Sequence, residues 1–143
     1  MLADRMLKEL ELEHAELSVL LTNDRRIHEL NRQYRGKDKP TDVLAFELDG
    51  GEGLDDGAQC LGDVVISLDT AARQAKSKRL PLLHEVRLLL AHGLLHLLGY
   101  DHARPSQKRR MDAMTRRLVT AAAKDRPKKG AGSRYSGKKR RFA

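Results

Sequence analysis

Residues 88–98 read LLLAHGLLHLL, and no other stretch restricts the fold of this chain as strongly. Leucine and alanine fall on every side of a helix drawn through the run, so it belongs in the middle of a domain rather than on its surface. Pro81 suits the first turn of such a helix and Gly99 its C-terminal stop, giving a helix over 81–98. The run is interrupted by His92, Gly93 and His96 and is too short to span a bilayer. Two imidazoles therefore sit on a buried, leucine-rich helix.

His92 and His96 are separated by four residues, about 40° of rotation and ~6 Å of rise, so both rings project from one face. Paired in this way they can bind one zinc ion through neutral ring nitrogens. Gly99 permits a sharp turn, and Tyr100-Asp101 carries the backbone back to place His102 as a third ligand. Three histidines leave one coordination position for water, which marks a catalytic rather than a closed structural zinc. One histidine of this kind is usually a core or rim residue, but three at this spacing are hard to explain by packing. Cys60 is the sole cysteine, which excludes an intramolecular disulfide and a multi-cysteine zinc site; it reads as a small buried hydrophobe. Glu85 shares the face of His92 two turns earlier, too far to be a ligand. It reads as a surface carboxylate, the alternative being a role in orienting solvent. Asp101 either caps the turn or accepts a histidine N–H. His14, His28 and His84 lack partners at useful spacing.

The rest of the body alternates short apolar runs with amphipathic ones. Residues 3–12 read as helix and ELSVLLT (16–22) as strand. Thr22 and Asn23 can cap a helix over 24–34, with Ile27, Leu30 and Tyr34 on one face. RGKDKPT is a loop, since Pro40 prevents helix from continuing. DVLAFE (42–47) is a short strand, followed by the acidic, glycine-rich LDGGEGLDDGAQ. LGDVVISL (61–68) is a strand and 69–78 a helix. Pro105 opens a last helix with Met111, Met114, Leu118, Val119 and Ala122 on its inner face. Connections this short suit an α+β fold, a small mixed sheet covered by helices.

Charge divides the chain. Of 28 Lys and Arg residues nine lie from Lys124 onward, against one of the 20 acids, so residues 1–123 are neutral and the end carries the net +8. The 143 residues thus read as one domain, 1–123, and a disordered basic tail, 124–143, too polar to bury a core. Clustered cations without an amphipathic anchor point to nucleic acid rather than membrane. The charged start, MLADRMLKEL, has no apolar signal core, and the expectation is a soluble cytoplasmic protein. Aromatic residues make up only 3%, which argues against base-stacking platforms of the kind RNA-recognition sheets use.

HGLLHLLGYDH (92–102) resembles the signature of the YbeY family, bacterial endoribonucleases of rRNA maturation. The likeness continues through NRQYRGKDKPTDVLAF (31–46) and LGDVVISLDTAARQA (61–75) and covers most of residues 16–119. The resemblance implies a zincin-like fold with the metal site on a central helix. It also implies a single-strand-specific, zinc-dependent ribonuclease holding one zinc ion per chain. Its task would be maturation of the small-subunit (16S) rRNA 3′ end and ribosome quality control, with the small subunit and its assembly factors as partners. On that match His92, His96 and His102 are the zinc ligands, and Arg35 is the family's functional arginine beside the metal. The chain departs from the family where Ala45-Phe46-Glu47 replaces Ser-Phe-Pro. It also lacks the family's usual first strand, so that either a sheet edge is bare or the start is assigned too late, and its basic tail lies outside the family core.

The residue after His92 is Gly93, where zinc proteases carry their catalytic glutamate. A phosphodiester demands less of such a base than a peptide does, because metal and solvent can stabilise its leaving alkoxide and RNA carries its own 2′-hydroxyl. Zinc polarises a phosphoryl oxygen or lowers the pKa of bound water from 15.7 toward about 7. Gly93 has two readings of equal weight, room for the substrate backbone and close helix–sheet packing. Arg35 supplies a cation for developing charge, together with His92 as the catalytic pair. On sequence alone a solvated loop arginine among Lys37 and Lys39 is the favoured reading of Arg35, and the family resemblance reverses that preference. Lys37 and Lys39, and in the tail Lys128, Lys129, Lys138, Lys139, Arg140 and Arg141, are candidates for RNA phosphate contacts. Lys108, Arg109, Arg110, Arg116 and Arg117 form a solvated face or extend that track. Two other functions fit the motif: a metallopeptidase, and a non-catalytic RNA-binding assembly factor with structural zinc.

Overall fold

A computed structural model describes residues 2–47, 59–100 and 103–124. Five helices and three strands alternate along them: α1 (Leu2–Glu9), β1 (Ala15–Thr22), α2 (Asp24–Arg35), β2 (Val43–Glu47), β3 (Gln59–Ser67), α3 (Leu68–Lys78), α4 (Leu82–Leu97) and α5 (Pro105–Lys124). The expected α+β class is the observed one. Boundaries moved little. α1 ends three residues early because Glu11 enters the left-handed region and Leu12 N–H turns back to the Leu7 carbonyl. The last helix includes Lys124. Most of the acidic glycine-rich segment and the tail from 125 lie outside the described residues.

The sheet runs in the order β1-β3-β2, with β1 parallel and β2 antiparallel to the central β3. Alternation along β3 sorts its side chains into two cores. Val64 and Ile66 join the larger one beneath α1, α4 and α5, while Val65 faces α2 with Ile27, Leu30 and Leu44. On α4, Val86, Leu89, Leu90, Leu94 and Leu95 are all buried, as an all-round apolar helix requires. On α5, Met111, Leu118 and Ala122 are buried, with Met114 and Val119 packed beside them.

Two glycines fix how the layers meet. Gly62 stands beside a bulge in β3 at φ +139°, and a Cβ there would overlap the Phe46 carbonyl oxygen. This lets β3 close on the end of β2 and sets Phe46 at its place. Gly93 faces the sheet: a Cβ would come within 2.8 Å of Val64 Cγ1 and 3.4 Å of Val43 Cγ2. Among the described residues no helix is long and apolar enough to cross a membrane.

The N-termini of α2 and α3 are tied by one carboxylate. Asp24 accepts from the Ser67 and Thr70 hydroxyls at 2.6 Å each and from Arg73 at 2.8 Å. Those hydroxyl bonds first, and then Arg73, hold the Asp24 pKa at about 2 against an opposing effect of partial burial.

Candidate active site

α2, α3, α4, α5 and the edge of β2 surround a cavity of about 1660 Å³. That exceeds the usual 300–1,000 Å³ of small-molecule sites and suits a segment of a polymer. α4 supplies His92 and His96, half-buried, with ring centroids 4.8 Å apart and an interplanar angle of 68°. Both rings open onto the cavity. The four-residue spacing does what helix geometry demands, and the sheet contact of Gly93 sets the rotation of α4 that aims them.

Arg35 closes α2, and Gly36, left-handed at φ 70°, ends the helix behind it. The guanidinium donates to the Ala45 carbonyl on β2 and lies 5.1 Å from the centre of the Phe46 ring. It is thus an exposed but fixed cation on the cavity wall, not a solvated loop arginine. Lys37 and Lys39 line the same cavity. Their loop is anchored by Asn31, 3% exposed, whose amide donates to the Lys39 carbonyl at 2.8 Å. None of these three cations pairs with a carboxylate among the described residues, although Asp42, Glu47 and Asp112 line the same cavity.

The structure gathers His92, His96, Arg35, Lys37 and Lys39. His102, Asp101 and the tail cations Lys128, Lys129, Lys138, Lys139, Arg140 and Arg141 lie outside the described residues. Among the described residues no group of three His, Cys, Asp or Glu converges as a metal site.

Several expectations are corrected. Glu85 is not a surface carboxylate: it is 1% exposed and accepts from Lys78 Nζ at 2.9 and 3.1 Å. Burial on α4 forces this pairing, since an unpaired carboxylate there would be very costly. Gly93 makes the close helix–sheet contact and also lines the cavity. Tyr34 is not a core residue but 60% exposed, and Cys60 is half-buried. His28 does have a partner, Asp38, at 2.8 Å across the Arg35 loop. Sequence reading missed Asn31 as a loop anchor, although an asparagine beside Ile27 and Leu30 on the buried side of α2 was the available signal.

A sequence model described as Endoribonuclease YbeY matches residues 1–123. The chain belongs to the YbeY family. The protein named Endoribonuclease YbeY from Anaeromyxobacter sp. (strain Fw109-5) is 55% identical over 107 residues, 75% of this chain and 54% of that protein. Its namesake from Syntrophotalea carbinolica is 48% identical over 113 residues, covering 78% of this chain and 75% of that protein. The Myxococcus xanthus YbeY is 52% identical over 113 residues, 79% of this chain and 38% of that protein. The chain thus spans about half the length of the first of these YbeY relatives and less of the last. The solution structure of TM1509 from Thermotoga maritima superposes with a TM-score of 0.62 at 26% identity, over 85% of this chain and 78% of that one. The YbeY match thus takes in every described helix and strand, stopping one residue short of the end of α5.

Proposed function

We propose that this chain is a zinc-dependent endoribonuclease that cuts single-stranded RNA, with the 3′ end of small-subunit (16S) rRNA as its substrate. We place it in the cytoplasm, in ribosome maturation and quality control, with the small subunit and its assembly factors as partners. The observation that carries the reading is one cavity holding two clustered imidazoles and three cations that have no carboxylate partner among the described residues. Membership of a family whose relatives are named endoribonuclease supports it.

The donor set fits a metal. Two neutral imidazoles on adjacent turns, at the edge of a buried helix, are the usual start of a zinc site. His92 and His96 would hold the ion, with His102 as the third ligand. When bound, zinc supplies Lewis acidity at the reacting phosphate. Arg35, held by Ala45 and Phe46, keeps its guanidinium in place for the charge that grows on the phosphoryl oxygens, so little reorganisation is needed at the moment of cleavage. Lys37 and Lys39 grip neighbouring phosphates as point charges. A peptide suits the site less well. An extended peptide would pair with the β2 edge, where the Ala45 carbonyl already accepts from Arg35.

The test sets single-stranded RNA, duplex RNA and casein side by side, with zinc content and circular dichroism measured before and after chelation. The expected result is cleavage of single-stranded RNA alone, about one zinc per chain, and a folded, inactive protein once the metal is removed. Casein cleavage would favour a metallopeptidase. A protein that binds RNA without cutting it and melts on chelation would be an assembly factor with structural zinc.

A further inference from the structure

Tyr34 lines the cavity but is neither a metal-binding nor a charge-stabilising side chain. It follows Ile27 and Leu30 on α2, residues that are 0% and 2% exposed, yet is itself 60% exposed. Gly36 ends the helix directly behind it, so no further turn covers the ring. The ring is nevertheless held. It meets Phe46 edge-to-face, with centroids 5.5 Å apart and planes at 64°. Phe46 is in turn flanked by the Arg35 guanidinium, which the Ala45 carbonyl fixes. Three Tyr and two Phe are all the aromatic side chains of the chain, and two of the five are brought together at the residue expected to meet the phosphate. All three groups line the cavity that His92 and His96 share.

An exposed aromatic side chain, kept in orientation by a second ring and bordered by a planar cation, matches one ligand chemistry in particular: a flat heterocycle attached to a phosphate. We propose that Tyr34, set by Phe46 and bordered by Arg35, is a stacking subsite for one unpaired nucleobase beside the phosphate that Arg35 meets. The proposal rests on the endoribonuclease reading and adds to it a physical source of strand selection. A base inside a duplex already has both faces stacked and cannot turn one to Tyr34, whereas an unpaired base can. Stacking also accepts any base, so the subsite selects for single strands without reading sequence. The low aromatic content of the chain argued against a stacking platform, but the fold needs only two rings to build this one.

The test uses the full-length, zinc-loaded protein and a single-stranded RNA oligonucleotide carrying 2-aminopurine at each position flanking the cut in turn. Fluorescence is read by rapid mixing, before cleavage. Wild type is expected to quench the probe at one position, Tyr34→Phe to keep that quench, and Tyr34→Ala to lose it. Tyr34→Ala should bind roughly 5- to 150-fold more weakly, the equivalent of about 1–3 kcal/mol of base stacking. An abasic nucleotide at the quenched position should weaken wild type by a similar factor and leave Tyr34→Ala unaffected. If wild type binds and cuts but Tyr34→Ala matches it with both the base and the abasic oligonucleotide, the subsite is overturned and the nuclease stands. If wild type neither binds nor cuts the oligonucleotide, the nuclease reading falls and the subsite falls with it.

Discussion

Replacing Gly93 with alanine adds one methyl group to a helix face that already touches the sheet. The new Cβ would lie 2.8 and 3.2 Å from the two γ-carbons of Val64 and 3.4 Å from Val43 Cγ2. Carbon atoms rest at about 3.5–4.0 Å, so the first two contacts must be relieved. Val64 has little room to yield. It is 0% exposed, its β-branched side chain is stiff at χ1, and its strand is hydrogen-bonded on both sides. Overpacking of this kind costs about 1–3 kcal/mol, while exchanging glycine for alanine inside a helix returns about 1 kcal/mol. Gly93→Ala should therefore destabilise the protein by roughly 1 kcal/mol, read as a lowered urea midpoint at unchanged m-value. A double-mutant cycle locates the cause. With Val64→Ala in place the added methyl enters vacated space, and the two substitutions should couple favourably by roughly 1–3 kcal/mol. A Gly93→Ala protein that gains about 1 kcal/mol and shows no coupling to Val64 would refute the packing argument. Weakened substrate binding together with that gain would instead favour glycine as clearance for RNA.

Three further outcomes are expected. Asp24 has a folded pKa of about 2 against 3.8 for the free group, so its ties to Ser67, Thr70 and Arg73 stabilise the fold fully above about pH 4 and are lost as pH falls toward 2. The stability gap between wild type and Asp24→Asn, roughly 1–2 kcal/mol at pH 6, should therefore close over that window in pH-resolved urea titrations. The Lys78–Glu85 pair is lopsided, 44% against 1% exposed, so Lys78→Ala strands a buried carboxylate and should cost about 3 kcal/mol. Glu85→Gln leaves only a lysine that water can reach and should cost roughly 1 kcal/mol in the same denaturation assay; equal losses would contradict the assigned burial. Removing residues 124–143 should weaken RNA binding at low salt and flatten the log–log salt slope by roughly 3, the share of about four phosphate contacts, while an unchanged slope would make the tail a bystander.

What could be read without coordinates was whatever depends on neighbours along the chain. The all-round apolar run of α4, its proline and glycine ends, and the four-residue histidine step are local, and so is the β-branched run of β3. The hidden features each depend on a second element. Glu85 is buried because Lys78, on α3, reaches it across the α3–α4 turn. Gly93 is tight because Val64 and Val43 arrive from two strands, and a helical projection cannot say which neighbour a face will meet. Tyr34 continues an apolar row, but the row outruns the sheet that covers it, so a residue expected in the core stands at the rim. Arg35 looked like any loop cation until the helix ended on it and β2 offered it a carbonyl.

We propose that the two imidazoles and the fixed guanidinium of this one cavity act on the same phosphate. The most direct measurement is the initial rate of cleavage of a defined rRNA 3′-end precursor by wild type, His92→Ala and Arg35→Ala, each purified free of contaminating ribonuclease. Both variants should fold and bind the RNA yet cut at least about 100-fold more slowly, the scale of losing one preorganised charge-stabilising group. Folded variants that bind the precursor and cut it at the wild-type rate would contradict the assignment.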